Sequence, residues 1–160
     1  DLTPVPNLLS KHNILLPWLD AISPNGIILS GGEDMGMCLE RDASEETLLK
    51  YAESLKLPVL GICRGAQFIG ARAGTSIKQI EGHVAVRHMI KGEINGEVNS
   101  FHNNVIANKP NNFSIIAHDL DGEIEAIRHD YLPWEGWMWH PEREANFSGC
   151  DINRFKALFI

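Results

Sequence analysis

Cys63 stands between two glycines in Gly61-Ile62-Cys63-Arg64-Gly65, at the end of an apolar run and the start of a helical pattern. A nucleophile on such a strand-to-helix elbow is presented above a sheet, and side chains at the flanking glycines would clash with neighbouring elements. The helix N-terminus places partial positive charge beside the sulfur, which favours thiolate. The bland alternative is a structural cysteine beside two loop glycines. A cysteine nucleophile wants a base, and Trp139-His140-Pro141-Glu142 offers one. Residues two apart in extended chain face the same side, so His140 and Glu142 can point at one site, the acid holding the imidazole tautomer. Ser30-Gly31-Gly32 ends another apolar run, where sites in α/β sheets collect. A glycine amide there and the Arg64 amide are candidate donors to a tetrahedral oxyanion.

The elements around these residues follow from patterning. Gly26–Ser30 reads as a buried strand after the turn Ser23-Pro24-Asn25-Gly26, with Pro4, Pro6 and Pro17 punctuating the chain before it. Asp42-Ala-Ser-Glu45 reads as a capping box, opening a helix whose Leu48, Leu49, Ala52 and Leu55 share a face. Leu57–Ile62 reads as a second buried strand, and Arg64–Ala73 as a helix stopped by Gly74. Such alternation predicts an α/β fold with a mainly parallel central sheet. The second half differs. Ile77–Ile80, Val84–Ile90, Ile94–Asn99, Phe113–His118, Glu123–Arg128 and Gly136–Trp139 are strand-like and closely spaced, which predicts hairpins and antiparallel edges, and Asp151–Ile160 closes the chain as a helix.

Composition narrows the function. The chain has 160 residues, 44% hydrophobic and 22% charged, so it is one ordered domain that needs no disulfide or metal staple. Fourteen Lys and Arg against 21 Asp and Glu give a net charge of −7. An acidic chain without a basic run is a poor partner for nucleic acid polymers or anionic membranes, and no apolar run is long enough to span a bilayer. Three cysteines, with Cys38 and Cys150 lacking a partner pattern, point to a reducing, cytoplasmic compartment. The first residue is Asp1 rather than Met, which reads as a fragment or a renumbered chain. No cofactor and no metal are expected. His83 and His88 lie at an odd offset in a strand-like run, hence on opposite faces, and His12, His118 and His129 show no ligand spacing. Trp134, Trp137 and Trp139 read first as core, with pocket-wall stacking on a base as the alternative.

Together, Ser30-Gly31-Gly32, Gly61-Ile-Cys63-Arg-Gly65-Ala-Gln67 and His140-Pro141-Glu142, in that order, resemble the class I glutamine amidotransferase family. The likeness extends to its γ-glutamyl hydrolase branch, the γ-glutamyl-γ-aminobutyrate hydrolase type, through Arg41-Asp42-x-x-Glu45, Pro58–Gly65 and Val98-Asn99-Ser100-Phe101-His102. The resemblance implies a three-layer, flavodoxin-like sandwich and a catalytic triad of Cys63, His140 and Glu142. It implies an oxyanion hole at the backbone of Gly32 and Arg64. It further implies that Gly31, Gln67 and the segment Ser100, Phe101, His102 bind the glutamyl group. Family domains begin with a strand and helix that this chain lacks. Gly31–Gly36 and Trp137–Arg143 also look similar to a compact group that releases glutamate from γ-glutamyl-CDP-amidate in capsular phosphoramidate biosynthesis.

The expected activity is therefore hydrolysis of a γ-glutamyl C–N amide bond through a cysteinyl thioester, on a small-molecule substrate, with a homodimer as candidate assembly. If the leaving group carries phosphates, Arg64, Arg72, Arg87 or Arg143 should contact them. Glu33 and Asp34 read as loop charges, as ligands of the substrate amino group, or as ligands of a metal bridging phosphates. The rival readings are a glutaminase subunit delivering ammonia to a partner synthase, a non-catalytic binding domain, and a cysteine protease or chaperone on a related sheet. The last leaves Gln67 and the Ser-x-His segment unexplained.

Overall fold

The computed structural model describes residues 1–6 and 12–160, with side chains for 1–6 and 14–160; the His12 side chain lies outside them. The first helix, α1 (His12–Ile22), contains Pro17, where the sequence shows only proline punctuation. Burial explains its presence. Leu15 and Leu19, one turn apart, are both 1% exposed and pack into the core, and that contact outweighs the proline.

β1 (Ile27–Leu29), α2 (Leu39–Leu55), β2 (Val59–Ile62) and α3 (Arg64–Arg72) follow as expected. α2 starts earlier than a capping box at Asp42 implies. Cys38 is its N-cap and makes no side-chain cap bond, while Asp42 and Glu45 lie inside the helix and turn their carboxylates to Arg64. The second half supplies β3 (Ile77–Gln79), β4 (Val84–Gly92), β5 (Gly96–Phe101), β6 (Asn104–Ile106), β7 (Phe113–Asp119), β8 (Ile124–His129) and β9 (Trp134–Trp137). A 3₁₀ turn at Pro141–Arg143 and α4 (Gly149–Phe159) complete the chain. β6 has no counterpart among the expected strands; three residues are too few to show a period.

The strands form one sheet in the order β1-β2-β9-β8-β7-β4-β5, with β3 and β6 as a short ladder joined to β8. β1, β2 and β9 run parallel, and the other pairings are antiparallel. This is the α/β sandwich expected from the sequence. Successive residues of β2 enter opposite cores. Val59 packs with residues of α1, α2 and α3, whereas Leu60 and Ile62 pack with Trp137, Trp139 and the α4 residues Leu158 and Phe159. Three helices therefore cover one face and α4 the other.

One register detail overturns an expectation. β4 carries a bulge, since Val84 pairs with Phe101 and Val86 already with Ser100, and Ala85 takes φ +55°. The extra residue turns the odd spacing of His83 and His88 into an even one. Their rings lie on the same side, with centroids 4.8 Å apart.

Candidate active site

The elbow is built as its glycines require. A Cβ on Gly61 would come within 2.6 Å of the Gly65 backbone, and one on Gly65 would overlap the Leu29 carbonyl oxygen. Cys63 itself adopts φ +50° and ψ −104°, a region non-glycine residues avoid. It is locked there because its amide donates to the Trp137 carbonyl at 2.6 Å and its carbonyl accepts from the Gln67 amide at 3.0 Å. The thiol is buried, which pushes its pKa up to about 11, although the Arg64 amide pulls the other way and the Glu142 and Glu125 carboxylates reinforce the rise. The resting sulfur is thus a thiol, where the helix terminus alone suggests thiolate.

His140 follows β9 and is 3% exposed. Its Nδ1 lies 2.6 Å from Glu142 Oε1, the same-side pairing expected from the two-residue spacing. Burial works to raise the Glu142 pKa, but the His140 hydrogen bond and its own backbone amide outweigh it, so the carboxyl titrates below its ordinary value. With Nδ1 engaged, Nε2 has no hydrogen-bond partner and is free to exchange a proton. The residue is clamped by its backbone. Asn99 Nδ2 donates to the His140 carbonyl and the His140 amide donates to Asn99 Oδ1, both at 2.8 Å. Gly31 abuts the ring, and a Cβ there would lie 2.6 Å from His140 Cε1.

A cleft of about 410 Å³ opens over Cys63, lined by Gly32, Arg64, Gln67, Phe101 and His102 among the expected residues. Glu33, Asp34, Met37, Asn103 and Asn104 complete its wall. His140 adjoins it through the Phe101 ring, edge-on with centroids 5.9 Å apart. Ser100 is fully buried, and its hydroxyl donates to the His83 carbonyl at 2.7 Å, so its side chain positions the segment and does not line the cleft. Gln67 Nε2 donates to the Asn104 carbonyl at 2.8 Å.

The four arginines part company. The Arg64 guanidinium is buried between Asp42 and Glu45 and is unavailable to a ligand. Arg72 pairs with Glu46 and Glu53 beside a separate cleft of about 300 Å³. Arg87 pairs with Glu97 and Glu144. Arg143 makes no ion pair among the described residues and lies over the Phe101 ring, 4.3 Å from its centroid, next to the cleft. The tryptophans are core. Trp137 and Trp139 stack at 5.3 Å and 7°, and none of the three lines the catalytic cleft. Two supports escape sequence reasoning. Arg41 donates to the Ser30 and Gly31 carbonyls at 2.7 and 3.2 Å and to Glu45 at 2.7 Å, tying the glycine turn to α2. The other is Asn99, which the sequence offers only as a member of the Val98–His102 motif, with no role attached.

A mixed α/β sheet with parallel strands at the elbow, a strained cysteine there and a His–Glu pair adjoining its cleft define the class of cysteine-elbow domains. Within that class, the glutamine amidotransferase class-I family model matches residues 2–156, and the chain belongs to that family. Among its relatives is the γ-glutamyl-CDP-amidate hydrolase of Campylobacter jejuni, 33% identical over 132 residues, covering 79% of this chain. The match spans 66% of that relative's length. A glutamine-hydrolyzing GMP synthase subunit of Pyrococcus abyssi is 32% identical over 85% of this chain and 76% of its own. The crystal structure of a Thermoplasma acidophilum protein, described as a GMP synthase subunit, superposes with a TM-score of 0.77. It is 25% identical, and the superposition covers 97% of this chain and 77% of that one. No helix among the described residues is long and apolar enough to cross a membrane.

Proposed function

We propose that this chain hydrolyses a γ-glutamyl C–N amide bond, with γ-glutamyl-CDP-amidate as its best substrate and capsular phosphoramidate biosynthesis as its setting. The single observation that carries the reaction class is the strained Cys63 elbow opening into a cleft beside a buried His140 whose Nδ1 is held by the half-exposed Glu142. Cys63 gives its proton to His140 and attacks the amide carbonyl. The Gly32 and Arg64 amides receive the oxyanion. The C–N bond breaks as His140 returns the proton to the leaving nitrogen, leaving a glutamyl thioester. Water, deprotonated by His140, then releases glutamate and restores the thiol. Glu33 and Asp34 in the cleft wall suit the glutamyl ammonium, and Arg143 suits a phosphate on the leaving side. The Campylobacter relative supports this substrate.

A second reading, a glutaminase subunit supplying ammonia to a synthase, is favoured by the GMP synthase relatives. One assay separates the two. Glutamate release is measured from γ-glutamyl-CDP-amidate, from γ-glutamyl-γ-aminobutyrate and from glutamine, with Cys63→Ala as control. Turnover of the nucleotide well above glutamine supports the hydrolase. Turnover of glutamine alone, raised by a synthase partner, supports the ammonia-delivering role.

A further inference from the structure

Behind the cleft the sheet brings together His83, just before β4, His88 on β4, Asp119 at the end of β7 and Glu125 on β8. Ile90 pairs with Asp119 across β4 and β7, so His88, two residues earlier, projects from the same face as that aspartate. The β4 bulge brings His83 to that side too. One ligand atom from each of the four lies within 4.8 Å of all the others. His83 Nε2 is 3.3 Å from Asp119 Oδ2, His88 Nε2 is 3.5 Å from Glu125 Oε1, and His83 Nδ1 is 3.8 Å from the same oxygen. These separations exceed ordinary N–H···O hydrogen bonds, about 2.7–3.2 Å. The 3.3 and 3.5 Å separations match the edge of a tetrahedron of N and O ligands around zinc, about 3.3–3.5 Å for bonds of about 2.0–2.1 Å, while the 3.8 Å contact is made by the other His83 ring nitrogen and is not such an edge.

The polar atoms of this cluster are otherwise unanswered. Glu125 is 0% exposed, and neither of its oxygens accepts a hydrogen bond. His88 Nε2 and His83 Nδ1 are likewise buried without a hydrogen bond. Asp119 is already oriented, since its Oδ1 accepts from the Asp121 and Glu123 amides at 2.9 and 2.7 Å, which leaves Oδ2 for the cluster. A buried carboxylate whose imidazole neighbours stand 3.5 Å or more away is costly, and a cation lowers that cost while two carboxylates balance its charge.

We propose that His83, His88, Asp119 and Glu125 bind one divalent transition-metal ion, with zinc the best fit. Two imidazoles argue against magnesium or calcium, and two carboxylates without thiolate argue against copper(I). Four protein ligands leave no open position, so the ion is structural and activates no water. His102 Nε2 stands 3.5 Å from Glu125 Oε1, and the His102 amide and Ser100 hydroxyl both bond the His83 carbonyl, at 3.1 and 2.7 Å. The ion thus fastens β4, β7 and β8 to the segment that closes the back of the cleft. This assignment stands apart from the choice of substrate.

The test starts with the full chain stripped by a chelator and dialysed against zinc, then cobalt(II). Metal content by plasma mass spectrometry should reach one per chain, the cobalt form should show intense visible bands of tetrahedral geometry, and Tm should rise by several degrees. Partly exposed His88 is the gentlest ligand to change. His88→Asn should weaken zinc binding at least about tenfold while keeping the native circular dichroism, and Cys63→Ser should bind as wild type. Glu125→Gln, tested as a second ligand variant, should also lose the cobalt bands. Binding below 0.1 equivalent with no Tm shift overturns the proposal, as does unchanged binding in His88→Asn.

Discussion

At the scale of the residue, the buried thiol of Cys63 sets the first expectation. With its pKa pushed up to about 11, the resting site holds thiol at neutral pH. Iodoacetamide labelling of Cys63 should rise about tenfold per pH unit between pH 7 and 10, as thiolate is what reacts. Peptide mass spectrometry separates it from exposed Cys150; labelling of Cys63 faster than Cys150 at pH 7 and flat with pH would mean a preformed thiolate. Glu142 titrates below its ordinary value, so it stays ionised well into acid. Protonation of Glu142 itself should therefore set no limb of the pH–rate profile near neutrality, and kcat should fall in Glu142→Gln. The comparable loss in a serine triad is about 10⁴-fold, and a thiol should lose less. Wild-type kcat would remove Glu142 from the site. Arg143 is the cation left for phosphate. Arg143→Ala should lower kcat/KM on the nucleotide substrate by about 10–100-fold, roughly 1.5–3 kcal/mol, and spare small γ-glutamyl amides. Equal loss on both would point to packing on Phe101 instead.

At the scale of the element, α2 is less a wall than a brace. Arg41, Asp42 and Glu45 grip the glycine turn on one side and the buried Arg64 guanidinium on the other. Glu45→Gln leaves Arg64 paired with Asp42 but takes away one charged hydrogen bond, so it should cost about 1.5–3 kcal/mol in urea unfolding. It should also lower kcat, because the turn carrying the Gly32 amide loses its hold; an unchanged midpoint would dismiss the brace. The sequence pattern does reveal that Asp42 and Glu45 belong together, but as a cap. They have the capping spacing, and only the tertiary approach of Arg64 tells the two uses apart. The elbow is readable because its constraint is local, with glycines where a Cβ meets backbone. The bulge at Ala85 is not, since alanine is no signal for φ +55° and period-two reasoning fails silently where a residue is inserted. That reasoning puts His83 and His88 on opposite faces for this cause alone.

At the scale of the whole molecule, the two larger cores sit on the two faces of one sheet, and among the described residues α4 is the helix that closes the second. Its anchor is bidentate. Arg154 donates to both oxygens of the buried Glu135 at 2.6 and 2.9 Å, and Trp139 donates to Asp151 at 3.3 Å. Arg154→Met should leave Glu135 with the Trp137 indole as its remaining side-chain donor. Stability should fall, and amide exchange in α4 should quicken while α3 keeps its protection; uniform loss across both helices would mean the sheet faces unfold together. The parallel pair β1 and β2 is legible from its alternation with helices, whereas β9 reads in the sequence as one of the hairpin-forming strands of the second half and runs parallel only through its seat against β2. The strand order of the antiparallel part is not legible, because pairing partners there are chosen across the whole chain rather than between neighbours.

The Asn99 clamp carries one more consequence. A side-chain amide that both donates to and accepts from a single residue reproduces one rung of an antiparallel ladder, so the lattice of β5 extends one step sideways to hold His140. The imidazole takes its coordinates from that lattice as well as from the chain leading into it. Phe101, two residues on in β5, shares the same frame, so the base and one wall of the cleft keep a common origin. Beyond Glu144, whose carboxylate also accepts from Asn99 Nδ2 at 2.8 Å, the stretch leading to α4 is thereby released from any duty of alignment. It is the place where the molecule can accept insertions or altered surface chemistry at little cost to the geometry of proton transfer.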